Sequence, residues 1–264
     1  MISPLAYVDP QAKLGDNVTV HPFAYIDKNV EIGDNCEIMP YASILSGARM
    51  GKNIKVYQGA IVSAEPQDFR WNGEDTFCYV GDNCKIREAV IINRGITPEG
   101  GTRIGEGSFI MAETHIGHDS VIEGSCVLGN GVKIAGDCHV GKYTILSSNA
   151  ILHNNGCIGE WALIKGGCRI SGNVPPFTIM AHNPVVYFGV NAFVLRRKGF
   201  SEDIIDDIAK AYRHIYQCGT SVFNALRRIE ADIKPSDARQ AILDFIRAHN
   251  NDIVAVNTHV NEFE

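Results

Sequence analysis

His118, Gly136 and Asn154 follow one another at intervals of eighteen residues, and each has a neighbour able to take part in proton chemistry: Asp119, Asp137 and His153. His115 stands three positions ahead of His118. A neutral imidazole is the usual general base near neutral pH, and a carboxylate can orient it, so this set is suited to deprotonating a hydroxyl or amine. Clustered histidine can also hold a metal, which requires three groups converging at ~2.0–2.1 Å. Taken singly, any of these side chains is ordinary surface polarity. Their chemistry depends on whether the fold stacks positions eighteen apart.

The elements that would do so are written in a six-residue repeat. An aliphatic residue recurs in one phase from Ile2 through Val8, Leu14, Val20 and onward to Val62, resumes at Val80, Ile86 and Ile92, and runs again from Ile104 to Ile170, giving 26 matches in a single register. That period fits neither a helix nor simple alternation and is the signature of a parallel β-helix. Four positions after each anchor the residue is small or compact, as at Ala24, Cys36, Ala42, Cys126 and Val132, which predicts one large and one small inward side chain per side of a three-sided column. Eighteen residues then make one coil, and His118, Gly136 and Asn154 line one edge on outward phases, with His118 facing away from the core. Glycine follows the anchor at Gly15, Gly33, Gly51, Gly105, Gly117 and Gly141, where a corner is expected to need permissive backbone angles. Cys36, Cys84, Cys126, Cys138 and Cys168 all take the small inward slot, so they read as compact core residues.

Two stretches, 63–79 and 93–103, keep the phase and lack the pattern. They are expected to leave the column as loops, the usual place for a binding face in a solenoid. The register ends before Val174-Pro175-Pro176. Beyond it, helical spacing begins at an N-cap Ser201 and continues through Ile204, Ile208, Tyr212 and Tyr216 to Gly219; Thr220 and Ser236 are placed to cap two further helices. The division predicted is a β-helix over 1–190 and an all-α domain over 191–264.

The bulk composition narrows the classes. With 264 residues, 45% hydrophobic and 20% charged, the chain can bury a substantial core. A net charge of −6 disfavours general nucleic-acid binding. No basic-then-apolar leader and no run of ~18 apolar residues is present, so a cytoplasmic protein without stable membrane insertion is expected. Eight cysteines without a CxxC pair fit a reducing compartment.

Specific strings go further than the repeat. His115-Ile116-Gly117-His118-Asp119, Gln67-Asp68-Phe69-Arg70, Val174-Pro175-Pro176-Phe177, and Phe188-Gly189-Val190-Asn191 followed by Leu195-Arg196-Arg197-Lys198-Gly199-Phe200 together resemble the hexapeptide-repeat UDP-N-acetylglucosamine O-acyltransferases of lipid A biosynthesis, over nearly the whole chain. The resemblance implies left-handed coils, a homotrimer and no cofactor. It also implies transfer of a 3-hydroxyacyl chain from acyl carrier protein to the sugar 3-hydroxyl of UDP-N-acetylglucosamine. By it, His118 is the general base, Asp119 its support and Gly136 the amide facing the oxyanion. Asp68 and Arg70 reach the substrate from a neighbouring subunit. His115, His153, Asn191 and Arg197 contact the nucleotide sugar or the carrier arm, and Gly166 leaves a long acyl slot. Arg196, Arg197 and Lys198 offer a basic patch suited to a diphosphate or an acidic carrier protein. Two positions depart from the family, which often has histidine at Asp137 and glutamine at Asn154. They leave open a 3-amino analogue as acceptor; a related hexapeptide transferase and a zinc hydratase on the same column are the competing readings.

Overall fold

The computed structural model describes residues 1–249 and 252–254. The repeat forms a left-handed parallel β-helix of three flat faces. The first face runs from strand Tyr7–Val8 to Arg169–Ile170 in nine strands, the second from Lys13–Leu14 to Cys157–Ile158 in eight. The third begins at Thr19–Val20 and ends with Thr178–Ala181 and the antiparallel strand Val186–Val190. The anchors point inward and most are wholly buried: Ile26, Ile44, Ile86, Ile116, Leu146 and Ile164 are each 0% exposed. Burying one such side chain contributes about 1.5–3 kcal/mol, so a column of them drives closure.

The small inward slot has a second property that spacing alone did not reveal. Its donors bond the carbonyl fifteen residues on, one coil up: Ser120 Oγ to Ala135 O at 2.8 Å, Thr144 Oγ1 to Gly159 O at 2.9 Å and Cys126 Sγ to Gly141 O at 3.2 Å. A thiol or hydroxyl thus fills little space and satisfies a corner carbonyl that burial would otherwise leave unpaired. Burial pushes the Cys126 thiol up to about 12 and Cys138 up to about 11, consistent with packing residues and not with nucleophiles.

The reason expected for the glycines is corrected. Left-handed backbone falls two residues later, just before the small inward slot, often at Asn or Asp (Asn17, Asn29, Asn35, Asn53, Asp119, Asp137, Asn149, Asn155), which tolerate it best after glycine, but also at Phe23, Tyr41, Tyr143 and Trp161. Glycine after the anchor answers to close stacking. A Cβ on Gly141 would lie 2.5 Å from Glu160 N, and one on Gly105 2.4 Å from Gly124 N.

Both loop excursions leave at the same edge, where the chain turns from the first face to the second. They are shorter than the sequence suggests, 65–77 and 94–101, because strands Ile61–Ala64, Cys78–Val80, Ile91–Asn93 and Thr102–Ile104 extend into them. Ladder partners Ile61 and Ile91 are thirty residues apart, and Ile91 and His115 twenty-four. The insertions therefore add twelve and six residues to a coil, multiples of the repeat, and the phase survives them.

Four helices follow: α1 (Ala192–Arg197), α2 (Glu202–Tyr216), α3 (Val222–Asp232) and α4 (Asp237–His249). α1 is too short to show helical spacing in the sequence. Ser201 Oγ caps α2 by accepting from Ile204 N, while α3 is capped by Ser221 and not by Thr220. Ser236 Oγ accepts from Arg239 N at the start of α4. The helices close over the edge between the second and third faces, where Trp161 stacks on Tyr143 at 4.1 Å and joins Phe177, Leu195, Ile208 and Tyr212 in a second core. Within the predicted α-helical domain, 250–251 and 255–264 lie outside the described residues. Among the described residues no helix is long and apolar enough to cross a membrane.

Because the atoms opposing a Cβ on Gly141 are backbone, Gly141→Ala is expected to destabilise the column by about 1–3 kcal/mol. A thermal midpoint equal to that of the unsubstituted protein would contradict the stacking argument.

Candidate active site

The edge between the first and second faces carries, level by level, the loop 65–77, the loop 94–101, then His118 with Asp119, Gly136 with Asp137, and His153 with Asn154. Each level is pinned to the next by backbone hydrogen bonds: Gly117 N donates to Ile134 O at 2.8 Å, Asp137 N to His118 O at 3.0 Å, and Asn155 N to Gly136 O at 3.2 Å. The eighteen-residue spacing thus becomes contact between side chains on adjacent coils.

His118 does not stand out in solvent as its outward phase suggests; the residue is only 5% exposed. The two excursions enclose it. Its Nδ1 lies 3.0 Å from Asp119 Oδ2. That carboxylate also accepts from Ile96 N at 2.9 Å and from Gly101 N at 3.0 Å, both on the second excursion. An ionised carboxylate only accepts, so the hydrogen sits on Nδ1, and Nε2 is the atom able to take a proton. Ile96 and Gly101 were not picked out in the sequence. Gly95, Gly100 and Gly101 were the available signal: a Cβ on either Gly95 or Gly100 would come within 2.6 Å of Asp119 Oδ1.

Nε2 lies over Gly136, where a Cβ would sit 2.3 Å from it. Among the described residues no acceptor takes the Gly136 N–H, which leaves a donor beside the base. Asp68 Oδ2 stands 3.3 Å from Nε2. Arg70 holds that carboxylate through its backbone N–H at 2.8 Å and its guanidinium at 3.0 Å, and reaches Asp137 Oδ2 at 3.4 Å. The Arg70 guanidinium and backbone N–H keep the Asp68 carboxyl well below the usual carboxylate range. Asp68 and Arg70 therefore meet the histidine of their own chain.

His115 is half-buried on the outer surface of the first face, between ladder partners Ile91 and Lys133. Burial, with Lys133 adding to it, lowers its pKa and favours the neutral ring. His153 and Asn154 are exposed one coil above Gly136. Gly166 lies at the opposite edge of the first face, where a Cβ would meet only Ser148 O at 3.1 Å. Asn191 and Arg197 are not brought to His118. Asn191 is 1% exposed and donates its amide to Trp161 O at 2.9 Å, while the Arg197 guanidinium covers the Phe193 ring. Asn191 thus ties the helical domain to the column.

His118, Asp119 and Asp137 form the trio of possible metal ligands among the described residues. Both Asp119 oxygens already accept N–H groups and Asp137 already faces a guanidinium. This donor set fits an oriented base better than a cation site.

Two family models match the chain: residues 173–254 match domain 2 of the UDP-N-acetylglucosamine O-acyltransferases, and 101–136 the bacterial transferase hexapeptide repeat. A protein of Halorhodospira halophila named acyl-[acyl-carrier-protein]–UDP-N-acetylglucosamine O-acyltransferase is 41% identical over 93% of this chain and 95% of its own. One of the same name from Janthinobacterium is 38% identical over 96% and 99%. Among solved structures, the UDP-N-acetylglucosamine acyltransferase of Bacteroides fragilis superposes with TM-score 0.93 at 43% identity, covering 97% of this chain and 99% of its own. That of Francisella novicida gives 0.94 at 33%, covering 98% and 95%.

Gly136→Ala puts a methyl group in the space of Nε2, so the imidazole should leave Asp119 without loss of the fold. A crystal structure of that variant with the ring still seated on Asp119 would show the assignment of this glycine to be wrong.

Proposed function

The chain belongs to the UDP-N-acetylglucosamine O-acyltransferase family, and from that premise we propose that it transfers an (R)-3-hydroxyacyl chain from acyl carrier protein to the 3-hydroxyl of UDP-N-acetylglucosamine, the first step of lipid A biosynthesis, in the cytoplasm. One observation carries the assignment of the base. Asp119, fixed by two backbone N–H groups, holds Nδ1–H of His118 and leaves Nε2 to face the acceptor. Nε2 takes the hydroxyl proton as the sugar oxygen bonds to the thioester carbonyl carbon. Negative charge then collects on the carbonyl oxygen, where the free Gly136 N–H can donate, the kind of preorganised donor that gives the largest single term in acyl transfer. Collapse breaks the C–S bond, and the imidazolium returns its proton to the leaving thiolate. No metal or cofactor is required by these steps.

Asp68, Arg70, Asp137, His153 and Asn154 share the edge with the base and are read as the acceptor side of the site. His115 and Gly166 border the outer surface of the first face and are read as lining the acyl side. Arg197 and its basic neighbours fit an anionic partner, the carrier protein. A homotrimer is supported by the outer surface of the third face, where Phe109, Val127, Ile145, Leu163 and Ile179 follow one another on successive coils as half-exposed apolar residues. An apolar stripe of that kind calls for a cover.

Incubation of UDP-N-acetylglucosamine with a panel of 3-hydroxyacyl carrier proteins, read by mass spectrometry, tests the reaction. His118→Ala is expected to lower kcat by roughly 10²–10⁴, with the rate of the unsubstituted enzyme falling at acidic pH as imidazolium loses its ability to accept a proton. Near-full turnover by that variant would refute the role of base. Sedimentation equilibrium should return three chains per particle; a monomer with full activity would remove the trimer.

A further inference from the structure

The loop 65–77 carries Asp68 and Arg70 to the edge of the base, yet apolar packing does little for its tip: Phe69, between the two, is completely exposed. Much of its support gathers at one side chain. Arg94, the first residue of the loop 94–101, turns its guanidinium back down the edge, where Nη1 donates to Ser63 O at 3.2 Å and reaches Ser46 O at 3.4 Å. Strands Ser43–Ile44, Ile61–Ala64 and Ile91–Asn93 are ladder neighbours, so one side chain joins the ends of three successive coils. Nη2 forms an ion pair with Glu65 Oε1 at 3.6 Å, and the guanidinium carbon lies 5.2 Å from the centre of the Trp71 ring. The Arg94 side chain is only 12% exposed. Taking a guanidinium out of water is costly unless charge and hydrogen bonds replace the water. Apart from Ser46, the replacements all come from the strand end that launches the loop 65–77 and from the loop itself.

Building on the acyltransferase reading, we infer that Arg94 is a positioning residue for the acceptor: by clamping the root of the loop 65–77 and the Trp71 ring, it holds Asp68 and Arg70 where the UDP-sugar binds. The root leaves the column at an angle that needs holding. Register slips between Val62 and Ala64, and Ser63 takes left-handed backbone at φ 66°, a conformation serine enters at a cost. A bulge of this kind turns a strand end toward a site beside it. Asn93 Nδ2 donates to Glu65 O at 2.6 Å and Arg94 N to Ala64 O at 2.9 Å, which fixes the departure of the loop. The Arg94 guanidinium extends that hold to Trp71, the residue directly after Arg70, and so to the backbone from which Arg70 projects. The loop 94–101 does not depend on this side chain: Gly95 N donates to Phe77 O at 3.0 Å, and Ile96 and Gly101 hold Asp119 through their own N–H groups. Loss of the guanidinium therefore loosens the acceptor side and leaves the base oriented.

Arg94→Met keeps most of the side chain's bulk and removes its charge and donors; Arg94→Lys restores the cation without the fork. In assays run well below each variant's thermal midpoint, Arg94→Met should raise the KM for UDP-N-acetylglucosamine by ~10-fold, within the range of coupling between neighbouring residues. The KM for the acyl carrier protein should stay unchanged and kcat should change less than the acceptor KM. Arg94→Lys should fall between Arg94→Met and the unsubstituted protein. Trp71→Ala should raise the same KM and add little to Arg94→Met, because both break one clamp. A second readout needs no substrate. Trp161, the other of the two tryptophans, is 9% exposed, so quenching of fluorescence by acrylamide reports on Trp71 and should increase in Arg94→Met, less in Arg94→Lys. An unchanged acceptor KM in Arg94→Met, equal rises in the KM of donor and acceptor, losses that multiply independently in the double variant, or unchanged quenching would each overturn the clamp while leaving the acyltransferase assignment standing. Failure of the unsubstituted protein to transfer any 3-hydroxyacyl chain would overturn that assignment, and the acceptor role of Arg94 with it, whatever the quenching shows.

Discussion

The coil-to-coil hydrogen bond, from each N–H to the carbonyl seventeen residues on, is the interaction on which the molecule depends. His115 N to Val132 O, Gly117 N to Ile134 O and Val121 N to Cys138 O, at 2.8–2.9 Å, lock one level of the column to the next with no freedom to slide. The spacing between levels is that of adjacent β-strands, ~4.7–4.9 Å, so a side chain on one coil is within bonding reach of its counterpart above. His118 over Gly136 follows directly. The same closeness demands glycine where one coil's corner meets another's backbone, and it makes the small inward residue a donor to the carbonyl overhead.

On that ladder the site is built by subtraction and addition at a single edge. Two coils have their corner replaced by a loop, and the two loops rise to enclose the next corner. The upper loop contributes only backbone to the chemistry: Ile96 and Gly101 N–H groups fix Asp119, which fixes Nδ1. The lower loop contributes charge through Asp68 and Arg70. The base is thus held from one side by Asp119 and approached from the other by Asp68, which Arg70 holds in turn.

The column was legible in the sequence because its period is strict and its anchors are buried for one reason. The stacking of His118, Gly136 and Asp137 was legible for the same cause, since eighteen residues of spacing become one level of rise. What spacing could not convey was depth. His118 has the outward phase of a surface residue, yet loops twelve and six residues longer than a plain corner cover it, and only their fold decides whether a side chain beside them is wet or dry. The contact of the loop 65–77 with the base was equally hidden: Asp68 and Arg70 have no repeat phase, so nothing in their position announces that they approach His118. Asn191 resembles a family position and is surrounded by Trp161 and the start of α1, a tertiary contact thirty residues away that no local pattern announces. Thr220 and Ser221 are both good caps, and the choice between them depends on where α3 meets α2.

Asp119 and Asp137 show how the scaffold accommodates the site at little conformational cost. Both occupy the left-handed corner position, with φ of 54° and 59°, that Asn17, Asn29, Asn35 and Asn53 take elsewhere. Most side chains are penalised by about 1–2 kcal/mol in that conformation, and aspartate is among the few that enter it readily. The slot repeats at every corner, so the column offers many places for a short polar side chain to stand at an edge. Only where the loops 65–77 and 94–101 rise beside the slot does such a side chain find partners. There, Asp119 meets two N–H donors and an imidazole, and Asp137 meets a guanidinium. The positions are general to the fold; the loops make two of them chemical.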